Sequence, residues 1–119
     1  MRLVTVVFTD DYSEQLEKTA FRSAVWLADT PANHTAAEAA WHLAVEWPQI
    51  SVTLFRPPAA DPNREEWRAL VEQIKLQEGG LGALDVIGSP LTLAARAVVR
   101  EAGFGRVEET GDGFRARRG

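Results

Sequence analysis

The sequence of 119 residues contains no cysteine. This absence excludes a disulfide, a thiolate metal site and a cysteine nucleophile, and it fits a reducing compartment. Because only two histidines are present, a Ser-His-Asp catalytic arrangement has few residues to draw on. The serines lie in no nucleophile-elbow pattern, and no glycine-rich phosphate loop occurs. We therefore favour a protein that is not an enzyme.

Long apolar runs are also missing. The run near the N-terminus extends only from Leu3 to Phe8 and includes a threonine. A signal peptide needs an apolar core of about 7 to 15 residues, and a membrane-spanning helix needs about 20. We interpret this run as a first strand and predict a cytoplasmic protein with no membrane partner.

Positive charge is in deficit and unevenly placed. The chain has 13 basic and 17 acidic residues, so its net charge is −4. This acidic balance argues against a nucleic-acid partner, because affinity for nucleic acid comes mostly from neutralising phosphates. Four arginines cluster near the C-terminus, namely Arg106, Arg115, Arg117 and Arg118. We interpret the cluster as a solvated basic end, with an anion site as the alternative.

The chain does contain a recurring pattern of an apolar run, a proline-marked turn and an amphipathic segment. The apolar runs are Ala24–Ala28, Ile50–Phe55 and Leu84–Ile87. We interpret each copy as strand, turn and helix, and such alternation implies parallel strands with right-handed crossovers. Residues 1–119 are therefore predicted to form a single α/β domain. We expect a three-layer sandwich with a mostly parallel sheet of about four strands and a C-terminal antiparallel hairpin.

Residues 12–28 leave two alternatives open. Tyr12, Leu16, Ala20, Ala24 and Leu27 would share one face of a single long helix. The recurring pattern instead favours a short helix, capped by the serine at position 13, then a break at 21–23 and a strand over 24–28. We prefer the second alternative, and the α/β class survives under either.

The segment after this strand predicts a mostly buried helix. Thr35 and Glu38 have the spacing of a capping box, and Pro48 would stop the helix at about residue 47. Its polar positions recur at every fourth residue, at His34, Glu38, His42 and Glu46, which indicates one narrow solvent-exposed stripe. The two imidazoles and the carboxylate could ligate zinc, but an exposed pair of Glu38 with His42 is the preferred interpretation.

Two further helices are predicted to begin at Asp61-Pro62 and at Ser89-Pro90, with the polar residue as N-cap and proline as the first helical residue. We expect the first to end at Gly79-Gly80. The second should end at Gly103, with Phe104 folding back onto the last turn in a Schellman motif.

The candidate ligand site follows from the predicted sheet, since open α/β sheets bind ligands beyond the carboxyl ends of their strands. The polar residues expected there are Asp10, Asp11, Asp29, Thr30, Arg56 and Ser89. Carboxylates could hold a divalent cation, and the helix start at Gly88-Ser89 could hold a phosphate on its free amides. The alternative is that these residues only cap helices and form turns. We predict no cofactor, although a divalent cation could bind.

Four tryptophans are many for a chain of this length. Tryptophan is enriched at binding hot spots because it offers a large apolar area together with a donor. Trp26, Trp41 and Trp67 are expected in the core, whereas Trp47, next to a proline, is expected to be partly exposed. Trp47, His34 and His42 are therefore the candidate interaction residues.

Two functions remain as hypotheses. The first is a non-catalytic protein-interaction domain, either an immunity or antitoxin-like protein or a small regulatory subunit, whose partner is another protein or a second copy in a homodimer. It is supported by the small size, the acidic balance and the surplus of tryptophan. The alternative is a protein that binds a small molecule or phosphate ester, or a metal-dependent enzyme, with its site at the carboxyl ends of the strands.

Overall fold

The computed structural model describes residues 2–119 and contains one six-stranded sheet with helices on both faces. The elements in chain order are β1 (Leu3–Val7), α1 (Ser13–Ala20), β2 (Ala24–Ala28), α2 (Pro31–Leu43), β3 (Val52–Phe55), α3 (Arg64–Glu78), β4 (Ala83–Ile87), α4 (Leu93–Glu101), β5 (Arg106–Glu109) and β6 (Gly113–Arg117). The strand order is β3-β2-β1-β4-β6-β5. Strands β1 to β4 are parallel, and β6 runs antiparallel to both β4 and β5. The predicted α/β sandwich with a terminal hairpin is confirmed.

The two faces of the sheet carry separate hydrophobic clusters. Helices α1 and α2 pack on one face, where Leu16 and Ala37 meet Val25 and Leu27 of β2. Helices α3 and α4 pack on the other face, around Trp67. Strand β3 is the edge strand of the parallel part of the sheet, and β4 lies on the other side of β1. The connection from β3 to β4 therefore passes over β2 and β1, and it carries α3 on the face opposite to α1 and α2. This crossover produces the third layer.

Strand β2 is buried along its whole length, which decides between the two alternatives for residues 12–28. All five residues from Ala24 to Ala28 are buried, and the strand lies between β1 and β3. A strand covered on both faces shows no polar alternation. Residues 21–23 separate α1 from this strand, so the prediction of a helix followed by a strand is confirmed, and the single long helix is wrong.

The predicted starts of α1 and α2 are wrong by a few residues. Ser13 is the first residue of α1 rather than its cap, because the carboxylate of Asp11 accepts hydrogen bonds from its amide and hydroxyl. Helix α2 begins at Pro31 after the N-cap Thr30. The hydroxyl of Thr35 instead donates to the carbonyl of Pro31 inside the helix, so the expected capping box does not form.

The other helix starts are also displaced. The ends of α3 and α4 agree with prediction, whereas α2 ends at Leu43, four residues before the predicted end at about residue 47. The N-caps are Asn63 for α3, in a capping box, and Thr92 for α4, rather than the residues at 61 and 89. Helix α3 ends at Gly79, whose φ of 72° suits glycine. At the end of α4 the amide of Phe104 donates to the carbonyl of Val99 at 3.1 Å, which is the predicted Schellman motif.

None of the helices within residues 2–119 is both long enough and apolar enough to cross a membrane.

Two buried tryptophans differ in how their indole N–H groups are satisfied. Trp26 and Trp67 are both almost fully buried in the cluster under α3 and α4, as expected. The indole nitrogen of Trp26 donates to the carboxylate of Glu78 at 2.9 Å. The indole nitrogen of Trp67 has no hydrogen-bond partner within the described chain. The same substitution at these two positions therefore has different costs.

We expect Trp26→Phe to lower the free energy of unfolding by about 1 to 3 kcal/mol more than Trp67→Phe, because only the first removes a hydrogen bond to a carboxylate. Both substitutions remove the same side-chain volume, so each is the matched control for the other. Urea unfolding followed by circular dichroism measures the difference. Equal losses of stability would contradict this account.

Candidate functional site

The buried side chain of Asn33 organises the carboxyl ends of β1 and β2. Its amide nitrogen donates to the carbonyls of Thr9 and Ala28, each at 2.9 Å. Its amide oxygen accepts from the backbone N–H of Tyr12 at 2.7 Å. One side chain in the first turn of α2 therefore joins the ends of two strands to the start of α1. Sequence reasoning missed Asn33, and the only signal was a polar residue shortly after the Thr-Pro turn.

Four of the six predicted ligand-site residues lie together around this point. The hydroxyl of Thr30 donates to the backbone carbonyl of Asp10 and accepts from the backbone N–H of Asn33 at 3.2 Å. Asp11 precedes Tyr12, the N-cap residue of α1, and its carboxylate caps the free amide of Ser13, the first residue of the helix. Asp29 lies 3.7 Å from the imidazole of His34, and Thr30 is the N-cap of α2.

The other two residues lie elsewhere. Arg56 lines a groove of about 600 Å³ between β3 and α3. Ser89 is buried and donates to the carbonyl of Ala60 at 2.7 Å, and it lines a different cavity beside the terminal hairpin. Since α4 begins only at Leu93, Ser89 does not start a helix. Within residues 2–119, no three His, Asp or Glu side chains are grouped so that they could hold a metal ion.

Helix α2 is more exposed than the sequence suggested. Only Asn33, Ala37 and Ala40 are buried along it. Trp41, expected in the core, is 42% exposed, and its indole nitrogen donates to the outward-facing carbonyl of Val52 on edge strand β3 at 2.8 Å. The prediction of one narrow solvent-exposed stripe is wrong, because a stripe of alanines is enough to pack this helix on the sheet.

Four large apolar side chains are exposed around the ends of α1 and α2, and we call them the aromatic surface. They are Phe21, Trp41, Val45 and Trp47. The rings of Phe21 and Trp47 pack edge to face with their centroids 5.7 Å apart. Trp47 is 47% exposed, in agreement with the prediction, and Val45 is 82% exposed.

The polar residues of α2 border the aromatic surface. The imidazole of His34 packs against the ring of Trp41, with centroids 6.2 Å apart, and its Nε2 lies 3.1 Å from Oε1 of Glu38. The contact on α2 is thus between His34 and Glu38, whereas the expected pair was Glu38 with His42. His42 is exposed on the same helix.

On the face that carries α1, the sheet beyond β1 has no helix over it, and a trough of about 520 Å³ results. Its floor is formed by half-buried or polar side chains of β1, β4 and β6, and one wall is formed by α1 with the turn that follows. Eleven residues line it: Leu3, Thr5, Tyr12, Thr19, Arg22, Ser23, Ala83, Asp85, Ile87, Arg115 and Arg117. Sequence reasoning missed the trough, because its residues come from five separate segments.

The interpretation of the four C-terminal arginines as a solvated basic end holds for only two of them. Arg115 is half-buried, and its guanidinium donates twice to the carboxylate of Asp85, at 2.6 and 3.2 Å. This hydrogen-bonded contact with Asp85 raises the pKa of Arg115 above its ordinary value. Arg118 donates to the carbonyls of Leu81 and Ala102, and it stacks over the ring of Phe104. Two of the four arginines are therefore structural, and Arg106 and Arg117 are exposed on the hairpin.

Comparison with protein-family models and with curated proteins finds no match to this chain.

We expect Asn33→Ala to lower the free energy of unfolding by about 2 to 4 kcal/mol, because it removes three hydrogen bonds and leaves the carbonyl of Thr9 and the N–H of Tyr12 without this partner. The carbonyl of Ala28 keeps its bond from the N–H of Thr30. The matched control is Asn63→Ala, which removes only the exposed cap of α3 and should cost about 1 kcal/mol. Chemical denaturation of both variants tests this difference. Similar losses at the two positions would contradict the central role of Asn33.

The cap at Asp11 predicts a pH dependence of stability. The hydroxyl and the amide of Ser13 hold the pKa of Asp11 below its ordinary value of 3.8. A carboxylate with a lowered pKa in the folded state stabilises the protein above its unfolded pKa, and this contribution disappears as the pH falls. The stability advantage of the wild type over Asp11→Asn should therefore be largest near neutral pH and shrink below pH 3.8.

Thermal unfolding of both proteins across the acidic range measures this advantage. Asp61→Asn, at an exposed aspartate, gives the baseline effect of removing one surface charge. An advantage of the wild type that is the same at neutral and acidic pH would show that the cap does not act through its charge.

Proposed function

We propose that this protein is a non-catalytic protein-interaction domain that binds its partner through the aromatic surface. The observation that carries the proposal is the exposed edge-to-face pair of Phe21 and Trp47, together with the exposure of Trp41 and Val45 in the same segment as Trp47. Single exposed apolar residues are common in proteins, but a group of large ones marks an interaction surface.

The chemistry of the surface favours a protein partner. Tryptophan and phenylalanine bring large, rigid apolar areas, and burying such area contributes about 25 cal/mol for each Å². Aromatic residues at the centre of a contact and polar residues around it are the usual arrangement in protein interfaces. Here His34 and Glu38 supply the polar border, and the imidazole of His34 lies beside the ring of Trp41.

The class of partner follows from the remaining properties of the chain. A small acidic protein with an aromatic contact surface has the form of an immunity or antitoxin-like protein, or of a small regulatory subunit. The net charge of −4 favours a partner other than nucleic acid, and a cytoplasmic partner agrees with the absence of cysteine. A second copy of this chain would also fit the aromatic surface, since a homodimer buries the same patch on both subunits.

The test compares exposed apolar residues inside and outside the surface. Val45→Asp and Trp47→Ala should weaken partner binding by about tenfold or more, because each removes apolar contact area at the proposed centre. Leu76→Asp and Leu93→Asp are matched controls, since these leucines are 84% and 87% exposed on other helices. Sedimentation velocity detects a homodimer, and affinity capture with quantified stoichiometry detects another protein.

The expected result is a stoichiometric complex for the wild type and both leucine variants, and its loss in the two surface variants. Circular dichroism establishes that every variant is folded. A wild type that remains monomeric and captures no stoichiometric partner would overturn the proposal. So would a complex that Val45→Asp and Leu76→Asp weaken equally.

A further inference from the structure

The trough has an ordered polar floor. In the register of the sheet, Thr5 of β1 lies beside Asp85 of β4, Asp85 beside Arg115 of β6, and Arg115 beside Glu108 of β5. The side chains of β4 alternate, with Leu84 buried under α3 and α4 and its neighbours half-buried on the trough side. A polar row in mid-sheet shows that this face is built to meet solvent or a polar ligand rather than a further apolar helix.

Hydroxyl groups line the trough where its wall meets the floor at Thr5. The hydroxyls of Thr5 and Ser23 are 2.8 Å apart, and those of Tyr12 and Thr19 are 2.9 Å apart. All four residues are buried, so these contacts fix the wall in one arrangement. A rigid wall of this kind reduces the entropy that a ligand loses on binding.

Arg115 is held in place by Asp85 and keeps N–H donors that Asp85 does not use. A guanidinium has five N–H donors, and the fork made by Asp85 occupies two of them. Within residues 2–119 the other three donors have no hydrogen-bond partner, so they are available to an anion in the trough. Since Asp85 already fixes the plane of the guanidinium, binding does not have to order a flexible side chain.

The trough concentrates positive charge in an acidic protein. Arg22, Arg115 and Arg117 line it together with one carboxylate, Asp85. On the same face the opposite charges of Arg106 and Glu108 in β5 balance each other, so two positive charges remain in excess. Arg22 and Arg117 are exposed, and neither forms an ion pair with any residue in 2–119. The whole chain has a net charge of −4, so this local excess is opposite in sign to the rest of the molecule.

We propose that the trough binds a small phosphorylated molecule, with Arg115, Arg22 and Arg117 holding its phosphate. A phosphate monoester is close to a dianion at neutral pH, which matches the excess charge, and its oxygens accept the paired donors of guanidinium groups. A volume of about 520 Å³ is that of a small-molecule site. The net charge of −4 disfavours a nucleic-acid polymer, whose many phosphates would be repelled by the chain as a whole.

This site is separate from the strand-end residues and from the aromatic surface. None of the six residues predicted as a ligand site lines the trough. The residues of the aromatic surface do not line it either. Binding of a phosphate ester can therefore be tested without reference to any protein partner.

The experiment is isothermal titration calorimetry with inorganic phosphate, pyrophosphate, glycerol phosphate, glucose 6-phosphate, nucleoside monophosphates and succinate. At least one phosphate ester should bind with a Kd below about 1 mM and more tightly than inorganic phosphate, since the hydroxyl wall contacts the rest of the molecule. Amide resonances of Thr5, Thr19 and Ser23 should shift in the same titration, which locates the ligand in the trough.

The variants Arg22→Gln and Arg117→Gln should each weaken binding by about tenfold, because each removes a charged donor to the phosphate. Both residues are exposed, so neither change removes a contact of the core. Arg64→Gln, at the exposed start of α3, removes the same charge outside the trough and should leave the affinity unchanged. Arg115→Gln also leaves Asp85 unpaired, so thermal unfolding must accompany that variant.

Several outcomes would overturn the proposal. These are the absence of binding across the whole set, an affinity that Arg64→Gln lowers as much as Arg22→Gln does, and equal binding of succinate and the phosphate esters. A single-stranded oligonucleotide that binds more tightly than every monoester, and loses this affinity in Arg22→Gln, would replace the small molecule with a nucleic acid.

Discussion

The burial of β2 on both faces is the constraint on which the rest of the structure depends. Five consecutive buried residues need strands on either side and helices above and below. Helices α1 and α2 supply one cover, over β1, β2 and β3, and α3 then crosses to the other face. Within residues 2–119 no helix remains for the α1 side of β4, β6 and β5. The trough is thus a consequence of how the chain covers its central strand.

The packing of α2 on the sheet also produces the aromatic surface. Helix α2 packs against the sheet through Ala37 and Ala40, and such small side chains bring the helix axis close to the strands. Large side chains on its flanks then have no room beneath the helix and remain outside. Trp41 illustrates this, since it lies over the edge of β3 and satisfies its indole N–H on the carbonyl of Val52. An uncovered edge strand is prone to pair with other chains, so this contact also protects the edge.

The sequence carried the class of fold but not the positions of the helix starts. Apolar runs and their spacing are properties of short segments, and they located β2, β3 and β4 correctly. A helix start is decided by which of several neighbouring polar residues accepts the first free amide. Asp61 and Asn63 are equally good candidates by type, and the partner Glu66, three residues after Asn63, decides between them.

Most of the candidate site could not be predicted, because it depends on contacts between segments that are far apart in the sequence. The strand-end residues could be named because parallel strands end at one edge, whereas Asn33 needed knowledge of the three backbone groups that it joins. Trp47 was recognisable as exposed, since it lies at the end of a helix before a proline. The trough combines Thr5 with Asp85 and Arg115, three residues that only the register of the sheet brings together.

The two proposed surfaces meet at one turn, and this arrangement has a physical consequence. Phe21 belongs to the aromatic surface, and the next residue, Arg22, lines the trough. The amides of Phe21 and Arg22 both donate to carbonyls of α1, and the buried hydroxyl of Ser23 contacts that of Thr5. Nearness alone does not couple two sites, because coupling needs a segment with two arrangements that the ligands favour differently. Because this turn is anchored at three successive residues, we expect the two proposed surfaces to bind their ligands independently although they lie side by side.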